Sequence, residues 1–186
     1  MMLARQISDG ESRARGTVVR LAVRAVSSGD AERLGRMFSR SSPATIYRRF
    51  HSPFPLVPEW AIERLASAES LVAAVGDEVV GHAMYVRAED GREAEAAVVV
   101  EDGWQSMGIG KLLLGGLAAE GRRRGIEAFT FVTLAENRRA FLLVAAVFAE
   151  VGYALEGGSY AIRAPLRSLK TQGVVDRGWI SEKGWR

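Results

Sequence analysis

The chain has no cysteine among its 186 residues. That excludes disulfides, a thiol nucleophile and any metal site built on thiolates. Histidine is nearly absent as well. His51 and His82 lie in different segments, so a histidine-based metal shell is not expected, and the reaction is read as needing no metal. No apolar run approaches the roughly 18 to 20 residues that span a bilayer, so no membrane partner is expected. The opening "MMLARQISDGESRARG" lacks the apolar stretch of a secretory signal, and the expected location is the cytoplasm. The pI is near 9.6, yet the formal net charge is only +3. No recognition helix or platform of alternating aromatic and basic residues accompanies that charge. Nucleic acid is therefore not the expected partner, and the arginine excess suits a solvated surface or a small anionic ligand.

What remains is ordinary for a globular domain: 48% hydrophobic and 25% charged residues, in a length that suits one domain with a real core. Residues 1–16 are polar and without periodicity and read as a flexible tail. Residues 17–166 read as the domain, and 167–186 as a second polar tail carrying Trp179 and Trp185. "TVVRLAVRAV" (17–26) alternates like a strand, and "SSGDAERLGRMFSR" follows as a helix with Asp30 in the capping position. Residues 41–67 hold four of the five prolines and read as two short helices around the rigid loop "HSPFPLVP". "LVAAVGDEVVGHAMYVR" is a hairpin turning at Gly76-Asp77, and "EAEAAVVV" (93–100) is a further strand. A helix over about 109–124 places Ile109, Leu112, Leu113 and Leu117 on one face. Gly115, Gly116 and Gly121 weaken it, so packing must hold it. "EAFTFVT" is a strand. "ENRRAFLLVAAVFAEVG" is a helix with Phe141, Val144, Ala145 and Phe148 on one face, and "YALEGGSYAIRA" is a closing hairpin around Gly157-Gly158.

The chemistry concentrates in "VVVEDGWQSMGIGKLLL" (98–114), where a strand, a glycine loop and a helix start follow one another. Glycines let the backbone turn sharply and approach a ligand. A helix start offers unpaired N–H groups and a partial positive charge, which together suit a phosphate. A glycine turn without a ligand is the plain alternative. Three phosphate or nucleophile motifs fail on particular residues. A Walker loop ending at Gly110-Lys111 needs glycine at 105, where Gln105 stands, and a hydroxyl at 112, where Leu112 stands. A dinucleotide fingerprint needs a small residue at 113, which is Leu113, and a hydrolase elbow around Ser106 needs glycine at Trp104.

What survives is Gln105-x-x-Gly108-x-Gly110 between strand and helix, followed in order by "LAENRRAF" and "EVGY". This resembles the acyl-CoA-binding motif of the GCN5-related N-acetyltransferase (GNAT) family, over roughly residues 17–166. "PATIYRRFHSPFP" with "AEAAVVVEDGWQSMGIG" resembles the branch that acetylates protein lysines. The resemblance implies an α/β (α+β) three-layer fold. Its mixed, mostly antiparallel sheet is flanked by helices, with a parallel strand pair splayed at the coenzyme. It implies acetyl-CoA as co-substrate and an amine, foremost a protein lysine, as acceptor. By the same resemblance, Val98, Val99 and Val100 offer main-chain groups to the pantetheine arm. Gln105, Ser106, Met107, Gly108, Ile109, Gly110 and Lys111 form the pyrophosphate loop, and Asn137 bonds the coenzyme arm or simply caps its helix.

Acetyl transfer needs a neutral amine, whereas a lysine ammonium has a pKa of about 10.4, so a general base is required. Glu95 is the candidate, in the place where relatives put a base glutamate. Glu93, two residues back on the same strand face, is the reserve. Many relatives carry a tyrosine acid four residues before the glycine matched by Gly152, but Phe148 stands there. A thiolate leaves without an acid, and with no cysteine to form an acyl-enzyme the expected path is direct attack in a ternary complex. His82 is read as a packed strand residue, and Tyr47, Arg48 and Arg49 as acceptor-side candidates. A small-amine acetyltransferase and an acetyl-CoA-sensing module without turnover stay open as alternatives.

Overall fold

The computed structural model describes residues 10–14, 17–27, 29–67 and 69–170. Two strands open the chain, β1 (Gly10–Ala14) and β2 (Thr17–Ala25). Three helices follow: α1 (Asp30–Arg40), α2 (Pro43–Phe50) and α3 (Glu59–Ser67). Next come β3 (Glu69–Val75), β4 (Glu78–Arg87) and β5 (Glu93–Val100). The second half runs α4 (Ile109–Arg123), β6 (Ala128–Leu134), α5 (Arg138–Val147), β7 (Gly152–Glu156) and β8 (Ser159–Pro165). All eight strands form one sheet in the order β1-β2-β3-β4-β5-β6-β8-β7. Every neighbouring pair is antiparallel except β5 and β6.

Helices cover both faces, because period-2 alternation makes two apolar faces on the central strands. On one face, Leu34, Met37, Phe38, Ile46, Ile62 and Leu65 from α1–α3 pack on Val72, Val79, Met84 and Val99. On the other, Leu113, Leu114 and Leu117 of α4 and Val144 of α5 pack on Ala94, Phe129, Phe131 and Ile162. Along β5 the alternation is clean: Ala94 and Ala96 join the α4 core, Ala97 and Val99 the α1–α3 core. Glu93 and Glu95 therefore sit on the α1–α3 side. The intrinsically weak α4 is held by close packing, as its glycines demand. A Cβ on Gly121 would lie 2.9 Å from the Phe129 ring and 3.2 Å from Leu166, so glycine is what lets α4 approach β6.

Four expectations are corrected. Gly10–Ala14, read as part of a loose tail, pairs with β2. Asp30 does not cap α1 from outside. It is the first helical residue, fully buried, and its carboxylate accepts hydrogen bonds from Arg24 and from the main chain and hydroxyl of Ser27. α5 stops at Val147, and Phe148 leaves the helix to bridge Leu169 in extended conformation. Arg167 to Leu169, assigned to the C-terminal tail, belong to the fold: Leu166–Ser168 is a 3₁₀ turn and Leu169 is buried. Trp179 and Trp185 lie outside the described residues.

Candidate functional site

The site begins where two strands part. β5 and β6 are in register for only three residues, Glu93↔Ala128 to Glu95↔Thr130. Beyond Glu95, β5 stays paired with β4 through Val100, and β6 stays paired with β8 through Leu134. Main-chain groups alternate sides along a strand. Glu101 donates to Val80 of β4, and Arg92 accepts from Glu127 on the β6 side. By that alternation the N–H and C=O of Val98 and Val100 face the gap, while those of Val99 face β4. Of the three valines assigned to the coenzyme arm, two therefore present their main chain to the gap. The Val100 carbonyl accepts from Gln105 Nε2 at 3.0 Å.

A cleft of about 380 Å³ occupies the gap. Val98, Val99, Val100, Gln105, Ser106, Gly108, Gly110, Lys111 and Asn137 line it, together with Thr45, Trp104 and Arg139. The other two predicted loop residues do not. Ile109 is buried in the α4 core, and Met107 is 38% exposed. The loop has the conformation that its glycine spacing implies: Gly108 caps α4 at φ 84° and, as glycine, offers no capping side chain to the first-turn N–H groups. Oriented donors, a glycine cap and Lys111 fit a diphosphate, and the apolar wall of Val98, Leu142 and Leu143 fits the arm of an acyl-CoA. Among the described residues, only Ser106 (φ 63°) and His51 (φ 51°) are non-glycine positions with positive φ. Both line the site, where strained backbone tends to cluster.

The gap continues into a second space of about 280 Å³. Glu95 lines it, with Arg48, Arg49, His51, Thr133 and Leu143 among its neighbours. Arg48, Arg49, Val98, Asn137, Ala140 and Leu143 touch both halves. Asn137 does cap α5, its side chain accepting from Ala140 N at 3.3 Å, while it also faces the gap. Glu93, the reserve base, is tied to Arg163 at 2.7 Å and lines neither half. Phe148 is buried, Tyr47 lines neither half, and no tyrosine does among the described residues. His82 is fully buried beneath the α1–α3 layer, and neither ring nitrogen has a hydrogen-bond partner among the described residues. Burial first, then the nearby Arg49 charge, pushes its pKa down to about 3, so the ring is neutral.

Sequence reasoning missed the joint that ties α2 to the glycine loop. Asp102 accepts from the Ser42 main chain at 2.8 Å, the Ser42 hydroxyl at 2.8 Å and the Thr45 hydroxyl at 2.9 Å. Thr45 in turn accepts from Gln105 at 3.2 Å, and Gln105 accepts from Arg139 of α5 at 3.1 Å. Burial alone would raise the Asp102 carboxyl, but these hydrogen bonds outweigh it and hold it below the usual range. The "SSP" cap before α2 was the one local signal, and nothing near it pointed to a partner 60 residues away.

Comparison with known proteins agrees with this geometry. The acetyltransferase (GNAT) family profile matches residues 34–153. The chain is similar to the GNAT domain of S. lividans PAT, with 27% identity and a TM-score of 0.74 over 89% of this chain and 99% of that one. It shares its fold with the yncA protein of Salmonella typhimurium, solved with its cofactor acetyl-CoA. That match has 18% identity and a TM-score of 0.61, over 78% of this chain and 94% of the other. A GNAT-family acetyltransferase from Streptococcus pneumoniae matches at 17% identity and a TM-score of 0.61, over 78% of this chain and 99% of that one. Read with the parted strands and the glycine-capped helix between them, these matches mean that the chain belongs to the acetyltransferase (GNAT) family, whose reaction moves acetyl from acetyl-CoA to an amine.

Proposed function

We propose that this enzyme acetylates a lysine side chain of a protein, with Glu95 as the general base. The observation that carries the reading is the continuity of the gap. The half lined by the glycine loop and the half lined by Glu95 share Val98, Asn137 and Leu143, so one bound acyl-CoA would bring its thioester beside the Glu95 carboxylate. Main-chain groups of Val98 and Val100 would hold the pantetheine arm, and the Ser106–Lys111 loop the pyrophosphate. Glu95 is solvent-exposed and can pass a proton from the arriving ammonium to water. The neutral amine then attacks the thioester carbonyl and forms the C–N bond, the C–S bond breaks, and the nitrogen sheds its second proton to water as coenzyme A leaves as a thiolate, whose thiol has a pKa of about 8.5 by analogy with cysteine. Positioning supplies most of the acceleration in such a ternary complex.

The lining charge supports a protein acceptor over a polyamine. Among the described residues, Glu95 is the one acid lining the second half, against Arg48 and Arg49. A polycation gains little in such a place, whereas a lysine set in a mixed protein surface is tolerated. The S. lividans relative is a protein acetyltransferase, which points the same way.

The test is Glu95→Gln assayed by release of free thiol from acetyl-CoA against a panel of proteins and amines. Turnover should fall on the order of 100-fold or more, while coenzyme affinity by calorimetry stays within about twofold. Unchanged turnover removes Glu95 from the mechanism. Tight coenzyme binding with no thiol released for any acceptor favours a sensing module instead.

A further inference from the structure

Arg49 stands at the junction of the two halves of the gap. Its guanidinium lies 5.0 Å from the centre of the Phe50 ring, and Nη2 is 3.1 Å from Met84 Sδ, a weak acceptor. Nε is buried and has no hydrogen-bond partner among the described residues. Glu95 is the carboxylate whose charge reaches Arg49, but no ion pair or hydrogen bond joins the two. Burial lowers the guanidinium to about 10, with Glu95 offsetting part of that, so it remains a cation at neutral pH. A guanidinium is thus held half-buried at the cleft with no carboxylate bonded to it among the described residues. Arginine in such a position is matched by an anionic oxygen pair in bidentate geometry. α2 fixes its position, since Asp102 ties the start of that helix and His51 closes its end, donating its N–H to Tyr47 O at 2.7 Å.

We propose that Arg49 is a specificity-determining residue that receives a carboxylate carried by the amine acceptor. The proposal rests on the acetyl-transfer reading of the same gap, and it adds the acceptor's chemistry: an amine with a carboxylate within side-chain reach. Two sources share that chemistry, an Asp or Glu beside the target lysine in a protein, or the α-carboxylate of an amino acid. Arg48, exposed on the same helix, also faces the gap. The two arginines differ in shelter, and salt separates them, because an exposed charge is screened at high ionic strength and a sheltered one much less.

The experiment measures binding by calorimetry and thiol release on the full chain in the presence of coenzyme A and acetyl-CoA respectively. The probes are lysine peptides flanked by Glu or by Gln, with blocked ends, and free lysine against lysine amide. The peptide pair reports a protein carboxylate and the amino-acid pair an α-carboxylate. A carboxylate-bearing probe should be favoured by about tenfold in one pair, and the preference should survive roughly 0.5 M salt. It should fall to about parity in Arg49→Gln and be retained in Arg48→Gln. Arg49→Lys, which keeps the cation and loses the fork, should give an intermediate ratio and serves where the glutamine variant does not fold. Equal binding of both members of both pairs by the unaltered protein overturns the proposal without any variant. A preference that persists in Arg49→Gln, or disappears with salt, also overturns it. An Arg49-dependent preference in binding with no thiol released upholds the carboxylate subsite and sinks the acetyl-transfer reading instead.

Discussion

Replacing Asp102 with alanine tests whether α2 is held in place by the glycine loop. The carboxylate accepts three hydrogen bonds, two from Ser42 and one from Thr45, at 2.8, 2.8 and 2.9 Å. Bonds to a charged group contribute about 1.5–3 kcal/mol each when buried, but Asp102 is solvent-exposed, so roughly 0.5–1 kcal/mol each is the fitting range. Their loss should cost about 2 kcal/mol. For a chain of this size that lowers Tm by roughly 4–8 °C. The kinetic effect should be uneven. α2 carries Arg48 and Arg49 into the gap, so KM for the acceptor should rise several-fold. Coenzyme affinity should change by less than about threefold, because Gln105 keeps its bond to Val100. Asp102→Asn retains one acceptor oxygen and should lose about half as much stability. The carboxyl is held below its ordinary value, so its contribution is present above the unfolded pKa of about 3.9 and is lost as pH falls from there toward the folded pKa. The gap in Tm between the wild type and the asparagine variant should therefore be flat near neutrality and close below about pH 4. Thermal melts and thiol-release kinetics with each substrate varied in turn decide the matter. An alanine variant with an unaltered Tm and an unaltered acceptor KM refutes the coupling.

Two further outcomes are expected. Gly121→Ala places a Cβ 2.9 Å from the Phe129 ring, which is wedged between Tyr85 and Phe131, so α4 must shift. A loss of about 1–3 kcal/mol is expected, read from denaturant midpoints at a constant m-value, and a midpoint equal to the wild type contradicts that packing. His82 is neutral in the fold, with a pKa near 3, and ordinary at about 6.5 when unfolded, so between those values the unfolded state holds one more proton. Stability from this residue is full above about pH 6.5 and declines on acidification by about 1.4 kcal/mol per pH unit. His82→Met should therefore lose about 2 kcal/mol less than the wild type between pH 7.5 and pH 5. Parallel stability profiles for the two proteins show that His82 does not titrate this way.

The sequence by itself determined the order of elements and the place of the glycine loop, because both depend on neighbours in the chain. Period-2 runs made strands of 93–100 and 128–134, and a helix-spaced leucine face made α4. Gly108 had to sit where the backbone turns left-handed. Local pattern misjudged elements whose fate hangs on distant partners. Phe148 fits the apolar face of a longer α5, yet pairing with Leu169 draws it into extended backbone. Asp30 has the look of a cap, and Arg24 on β2 pulls it inside. Only the tertiary structure decided the site. β5 and β6 keep register for three residues and then separate, which opens the gap between the glycine loop and Glu95. Arg49 comes to line the same opening as Glu95, 46 positions away in sequence, because α2 lies over it, and Asp102 holds the start of α2 there. Such contacts carry no periodicity along the chain. They arise from which strands lie side by side and where their hydrogen bonding stops.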